Sequence, residues 1–526
     1  MNLNFIITMS DNQSPERRNS DVEVDFGFYD NKPLASKFKI NKKFVALFVG
    51  TLSLNGLCLA WALFAYNYAA DSLASYLRWS PADAHSNHAP LQFCSYFGLS
   101  LGVVYSLKLK HQDRRRTFIA TNATAAACGI LMQVPNLLSI ALSRFGFAFC
   151  TGLLQIQSFK MVNETIPDQL KRLSWVAMLY GFALGLLLSI GICSWIASSD
   201  SVSLQKSDPP QRSSAWRAIL GLPILFNGAM ALSYRFLINT NSIGSSLMLG
   251  DDQEAYEMIS LVYDSDEDNE EIIQQLKRKF KQPTKKTTFS YKKAVFGPKY
   301  LRATLVTSAL AFVFQFSGPI TLLGFSRLLF TEVSDESAAS KGLVHAPRGS
   351  ALILSLLCFV AILASPLLVS QLRRKTLFLL GQSVSCLCLA AIAALHNFTD
   401  SMPSSSCFLL LAASSVAYHL CIFTTFWIYT FEILNDSQYA FVISLYFKFG
   451  AMLVMMVENQ VMTPGVLFVV QAVTALLGVG FILKAIKDTT HLTGRQKRQL
   501  YIPDAILNPV QKSPQGQGGS NIDIEL

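Results

Sequence analysis

Two short basic segments with nearly the same sequence lie far apart in this chain of 526 residues. They are Arg114–Thr117 (Arg-Arg-Arg-Thr) and Arg373–Thr376 (Arg-Arg-Lys-Thr), and each lies in a short turn between two long apolar runs. After two further apolar runs, a single carboxylate follows each segment: Glu164 in the first case and Glu432 in the second. Guanidinium and carboxylate groups form charge-assisted hydrogen bonds. We therefore predict one ion-paired cluster in each half of a duplicated chain.

Clusters of this kind would suit a gate that holds two halves of a transporter together on one side. The partners expected for Glu164 are Arg114–Arg116 and Lys171, and those expected for Glu432 are Arg373–Lys375. The alternative is that these charges are interfacial anchors with snorkelling side chains. The predicted gating residues are Arg114, Arg115, Arg116, Arg144, Glu164, Lys171, Arg373, Arg374, Lys375 and Glu432.

Long apolar runs must position these charges. Hydrophobic residues make up 51% of the chain and charged residues 15%, whereas about a quarter of a soluble protein is charged. The runs are long enough to cross a hydrocarbon core of about 30 Å. We predict an all-α membrane protein with twelve transmembrane helices in two six-helix halves. The predicted spans are 44–66, 91–107, 117–135, 139–161, 174–198, 216–238, 301–326, 350–371, 376–395, 407–431, 440–458 and 463–486.

The positions of Lys and Arg predict the orientation. The basic turns, the long loop and both tails carry these residues, whereas the connections 396–406 and 459–462 have none. By the positive-inside rule, both termini and the long loop face the cytoplasm. The predicted regions are a cytoplasmic tail 1–42, a first half 43–238, a cytoplasmic loop 239–300 with two short amphipathic helices, a second half 301–487 and a cytoplasmic tail 488–526.

Composition also excludes several function classes. The net charge of +10 is explained by topology and attraction to anionic lipid, and no soluble basic face typical of nucleic-acid binding is present. The ten cysteines lie almost entirely inside the spans without metal or redox spacing. We expect no enzyme, no metal and no cofactor. The expected partners are a small-molecule solute and the lipid bilayer, with the tails and central loop as surfaces for cytoplasmic partners. A plasma membrane is favoured over an organelle membrane.

Several segments resemble the major facilitator superfamily and, within it, the sugar porters (the glucose-facilitator family). The resemblance extends over nearly all twelve helices, and it implies two halves that alternate access to a midplane cavity. The matching segments are 143–172 with Arg144, Gly152, Glu164, Pro167 and Lys171, then Phe64–Asn67, Gly181 with Gly185, Gln315–Gly318, and Trp427 with Glu432.

The departures from that family fall on its sugar ligands. Each hydrogen-bonding side chain missing from such a site costs roughly 1–3 kcal/mol of sugar binding. The helix motifs of the family are therefore retained better than its sugar-binding residues. The Gly-Pro-rich break of the tenth helix is here Phe423–Phe426, and the motif after the sixth helix is Thr240–Gly244. The positions that differ are Leu179, Phe314, Ile320, Cys358, His419 and Gly450 with Ala451.

A midplane site would combine polar residues of both halves. Asn67 stands where proton-coupled sugar porters carry an aspartate, which favours a facilitator over a symporter. Lys448 lies in mid-span, where it would contact an anionic substrate or else snorkel to the interface. His419 would carry a proton or serve as a structural hydrogen-bonding group. The predicted substrate-binding residues are Asn67, Gln315, Thr424, Thr425, Trp427 and Lys448.

We therefore predict a transmembrane transporter that moves a sugar or similar small polar solute by alternating access, as a facilitator. Two alternatives remain open. A non-transporting relative, acting as a nutrient sensor or a structural membrane subunit, would explain the altered sugar ligands. A transporter of an anionic or less polar solute would instead use the apolar replacements and Lys448.

Overall fold

The computed structural model describes residues 39–109, 112–206, 214–263, 269–280, 295, 297, 300–317, 346–398, 404–434, 438–461, 464–490, 492 and 494–503. Each of the twelve predicted spans corresponds to a helix in these ranges. Most of both predicted tails, much of the second part of the central loop and the end of the seventh span, with Gly318 and Ile320, lie outside the described residues.

Polar caps begin several helices of the first half. The Asn41 side chain accepts a hydrogen bond from the backbone of Phe44 at 3.2 Å, and Asp113 accepts one from the backbone of Arg116 at 3.1 Å; such caps satisfy free N–H groups of a first turn. The helices are α1 Lys42–Phe64, α2 Tyr66–Leu77, α3 Pro81–Tyr105, α4 Arg114–Leu131, α5 Leu137–Thr165, α6 Asp168–Lys206 and α7 Ala215–Ser233, with a π-helical turn at Tyr234–Ile238.

The central loop contains α8 Ile243–Leu249, α9 Asp252–Val262 and α10 Asn269–Phe280. The two predicted amphipathic helices correspond in position to α9 and α10, and the apolar face of α9 is buried. The prediction did not include α8. The backbone N–H of Asn41 donates to the carbonyl of Val262 at 2.9 Å, so the end of α9 is attached to the start of α1.

The second half repeats the arrangement of the first. Its tenth span, predicted as one run, is interrupted by a π-helical turn at Tyr418–Phe423, a feature often found at functional sites. The helices are α11 Leu301–Ser317, α12 Ala346–Gln371, α13 Arg374–Phe398, α14 Ser404–Ala417, α15 Thr424–Leu434, α16 Gln438–Val461, α17 Pro464–Ala485 and α18 Gly494–Gln499.

Among the described residues, eight helices are long and apolar enough to cross a membrane, and two shorter apolar helices accompany them. In the first half α1 packs on α6, α3 on α5 and α4 on α7; the corresponding pairs of the second half are α11 with α16, α12 with the π-helical turn, and α13 with α17. The two halves meet along α3 with α16 and along α6 with α12. The helices of the two halves therefore pack in the same pairs, as expected if the chain is duplicated like its basic segments.

Glycine allows the closest of these helix contacts. A Cβ atom on Gly181 of α6 would lie 1.8 Å from the carbonyl oxygen of Ser53 on α1, and one on Gly102 of α3 would lie 2.0 Å from that of Phe149 on α5. No side chain fits at such distances, so these positions require glycine. Small residues at helix crossings are the usual means of close packing in membranes.

Candidate functional site

The first ion-paired cluster is buried at the end of the first half where the basic segments lie, which we call the basic face. Arg114 begins α4, and its Nη2 lies 3.3 Å from Oε1 of Glu164 near the end of α5. Its Nη1 donates to the carbonyl of Leu109 at 2.7 Å. The Ser242 hydroxyl donates to the second oxygen of Glu164 at 2.5 Å. The carboxylate is therefore bound by groups from two segments, the start of α4 and the start of the central loop.

The second cluster repeats this geometry. Arg374 begins α13, and its Nη2 lies 3.9 Å from Oε1 of Glu432 on α15. Its Nη1 donates to the carbonyl of Val369, five residues earlier, as Arg114 does to its own preceding turn. The Thr489 hydroxyl and the Lys497 ammonium each donate to Glu432 at 2.7 Å. The duplication thus extends to individual hydrogen bonds.

Each ion pair lies within its own half, one in the first and one in the second. This differs from the expectation that the pairs join the two halves. Each arginine begins a helix beside the helix that carries its carboxylate, so the shortest ionic contact is internal. Arg373 is exposed and takes no part in the expected contact with Glu432, because it precedes α13 by one residue. Lys375 instead donates to the carbonyl of Leu483 at 2.8 Å.

The other predicted gating residues of the first half are dispersed. Arg115 donates to the side chain of Asn239, and Arg116 is exposed and pairs with Asp113 at 3.2 Å. Lys171 is buried. Arg144 lies at the opposite end of α5 from Glu164, where its guanidinium stands 4.0 Å from the centre of the Tyr66 ring and donates to the carbonyl of Leu91 at 3.0 Å.

Aromatic rings join the two halves near the basic face. Phe159 of α5 stacks on Trp427 with 5.3 Å between ring centres and lies 4.6 Å from Phe431. Trp175 of α6 stacks on Phe431 at 4.9 Å. We call Phe159, Trp175, Trp427 and Phe431 the aromatic seam. Sequence reasoning missed it, although the concentration of aromatic residues between 423 and 431 was a visible signal.

Above the seam lie buried polar groups of α15 and its neighbours. The Thr424 hydroxyl shares a hydrogen bond with Ser365 of α12 at 2.5 Å. Within the described residues, Thr425 Oγ1 and Trp427 Nε1 are buried without a hydrogen-bond partner. Gln155 Oε1, on α5 one turn before Phe159, is likewise buried without a hydrogen-bond partner in the described residues. These three atoms lie on both sides of the contact between the halves.

The remaining predicted binding residues lie on three other helices. Gln315 of α11 is buried next to Phe314, whose ring contacts Phe426 of α15 at 6.0 Å. Asn67 lies in the first half, where its side-chain oxygen accepts a hydrogen bond from Gln92. Lys448 of α16 is buried beside α15. The structure thus groups Thr424, Thr425, Trp427 and Lys448, with Gln315 linked through its neighbouring ring.

His419 lies on the π-helical turn and is fully buried. Its Nδ1 lies 2.8 Å from the carbonyl of Ser415, and its ring centre lies 5.8 Å from that of Phe423. Its Nε2 has no hydrogen-bond partner in the described ranges. The same ranges contain no group of three or more His, Cys, Asp or Glu side chains that could hold a metal ion, and the ten cysteines are free thiols.

Comparisons with known proteins agree on one architecture. A family model described as "Sugar (and other) transporter" matches residues 59–500. The chain is similar to the major facilitator superfamily proton:xylose symporter XylE bound to 6-bromo-6-deoxy-D-glucose, with 13% identity, a TM-score of 0.69, and coverage of 89% of this chain and 99% of that one. It is also similar to XylE from E. coli in a partially occluded inward-open conformation, with 13% identity, a TM-score of 0.66, and coverage of 86% and 100%. No curated protein matches the sequence significantly.

Proposed function

The chain belongs to the sugar (and other) transporter family, and from this premise we propose that it moves a sugar or similar small polar solute by alternating access, as a facilitator. It is an integral multi-pass membrane protein with the major facilitator fold. The absence of a carboxylate at Asn67 supports facilitation over proton coupling. The role proposed is transport alone, without enzymatic activity.

The observation that carries this proposal is the set of buried polar atoms between the halves. A buried polar atom without a partner costs about 1–3 kcal/mol, and Gln155, Thr425 and Trp427 each have one in the described part of the chain. A solute hydroxyl that bonds to these atoms recovers that free energy. The proposed binding residues are Gln155 and the predicted set of Asn67, Gln315, Thr424, Thr425, Trp427 and Lys448.

The aromatic seam supports the alternating-access mechanism. It closes the basic face by contacts between the halves, whereas the two ion pairs lie inside the halves and would move with them as rigid bodies. Opening the basic face would require these rings to separate. We propose that this face is cytoplasmic, as are both termini, that the membrane is the plasma membrane, and that the tails and central loop are available to cytoplasmic partners.

The test is uptake of a panel of radiolabelled neutral and acidic sugars into proteoliposomes that contain the full chain. We expect saturable uptake of at least one solute and a loss of about tenfold on Trp427→Ala, the effect of one lost contact worth 1.4 kcal/mol. The matched control is Trp195→Ala, since Trp195 is 71% exposed on α6. Absence of uptake across the panel, or an equal loss in both variants, would contradict the proposal.

A further inference from the structure

A buried lysine in the middle of α16 lies among aromatic rings. The Lys448 side chain is only 4% exposed. Its Nζ lies 5.4 Å from the centre of the Phe423 ring, 4.4 Å from that of Phe426 and 4.9 Å from that of Trp427. Ring faces attract a cation, and each such contact contributes about 0.5–2 kcal/mol. The three rings therefore form a cage suited to an ammonium ion.

The cage stabilises the ammonium without neutralising it. Within the described residues, no carboxylate lies within 4.0 Å of Nζ, and the ammonium lies against the three rings. A charge at this depth costs at least about 2.5–3.5 kcal/mol, and such charges normally pair with an anion. The missing component is thus an anion that the described part of the chain does not supply.

Snorkelling does not explain this lysine. Lys448 lies ten residues from the start of α16 at Gln438, which is about 15 Å along a helix that rises 1.5 Å per residue. Its ammonium is directed towards rings of the π-helical turn and α15, inside the second half and away from either end of α16. An interfacial anchor would instead extend towards water.

The neighbours of the cage are neutral hydrogen-bonding groups. Trp427 contributes both a ring to the cage and an indole N–H without a partner in the described ranges. Thr424 and Thr425 precede it by one turn or less, and the Nε2 of His419 lies on the adjoining π-helical turn. Neutral groups of this kind bind hydroxyls, while the ammonium binds a carboxylate.

We propose that Lys448 binds the carboxylate of an acidic sugar, so that the preferred solutes are sugar acids and not neutral sugars. This inference rests on the proposed transport function. It assigns the carboxylate to the aromatic cage and the hydroxyls to Thr425 and Trp427. The strength of a charge-assisted hydrogen bond in a water-poor site provides the selectivity.

The experiment compares D-glucuronate with D-glucose. The two sugars have the same ring and differ only at C6, where glucuronate has a carboxylate and glucose a hydroxymethyl group. Uptake of both is measured in proteoliposomes that contain the full chain. We expect a glucuronate-to-glucose uptake ratio above one, lowered about tenfold by Lys448→Met and restored towards the wild-type ratio by Lys448→Arg. The control is Lys484→Met, which removes an exposed lysine at the end of α17 and should leave the ratio unchanged.

Thermal stabilisation of the wild-type protein by each solute gives a second readout that needs no variant. We expect glucuronate to raise Tm more than glucose does. Uptake of glucose without glucuronate, or an unchanged ratio in Lys448→Met, would overturn this inference and leave the transport function standing. Absence of uptake for every sugar in the panel would contradict both.

Discussion

Glu164→Gln should lower the free energy of unfolding by about 3–5 kcal/mol, because it removes the negative charge beside the buried Arg114 guanidinium. The two side chains are 2% and 1% exposed, so water cannot replace the lost carboxylate. The substitution also disturbs the hydrogen bond from Ser242, which reaches Glu164 from the segment after α7. The measurement is the midpoint of thermal unfolding of the purified protein in detergent.

Two control variants distinguish the effect of a buried unbalanced charge on stability from the effect of breaking any ion pair. Arg116→Ala breaks an ion pair of the same turn whose arginine is 89% exposed, and it should change stability by at most about 0.5 kcal/mol. Replacing both Arg114 and Glu164 by methionine should cost less than Glu164→Gln alone, since the buried guanidinium is removed together with its carboxylate partner. Equal Tm values for Glu164→Gln and Arg116→Ala would refute the argument.

The helices of this protein could be predicted because the length of an apolar run is a local property. The start of α13 was predicted at 376 and lies at Arg374; the two ends of the first span were likewise close to those of α1. Of the partners of Glu432, Arg374 was predicted, whereas Thr489 and Lys497 could not be predicted in the same way. Lys497 is 65 residues distant in sequence, and only the folded C-terminal segment brings it to the carboxylate.

The contact between the halves was missed for a related reason. Sequence identified Trp427 and Glu432 but not Phe431, although Phe431 contacts rings from both halves. Aromatic residues are so frequent in this region that pattern alone does not tell which rings face the other half. The π-helical turn at Tyr418–Phe423 adds a further change of helical phase before α15, which no period of 3.6 anticipates.

Lys448 is a residue that the sequence identified without deciding between two roles. A lysine in an apolar span was predicted to be either a substrate contact or an anchor. The three surrounding rings and the depth within α16 support the proposal that it contacts the substrate. Position in the chain could not reveal the cage, because Phe423, Phe426 and Trp427 belong to a different span.

Phe431→Ala should favour opening of the basic face. The substitution removes the contacts of this ring with Phe159 at 4.6 Å and with Trp175 at 4.9 Å, both across the boundary between the halves. Each aromatic pair contributes about 0.5–1.5 kcal/mol beyond burial. The closed form should therefore lose about 1–3 kcal/mol relative to the open form, which changes their ratio by about 5- to 150-fold.

Electron–electron resonance distances between spin labels test this shift. Suitable sites are Gln112→Cys and Gln371→Cys, which are exposed on the basic face, one in each half. We expect a longer distance component to grow in Phe431→Ala and to be absent from Phe236→Ala, since Phe236 is 72% exposed at the same face. A sample without the two introduced cysteines gives the background from native thiols. If Phe431→Ala and Phe236→Ala give the same distance distribution, the seam does not hold the halves together, and closure must depend on the contacts of α3 with α16 and of α6 with α12.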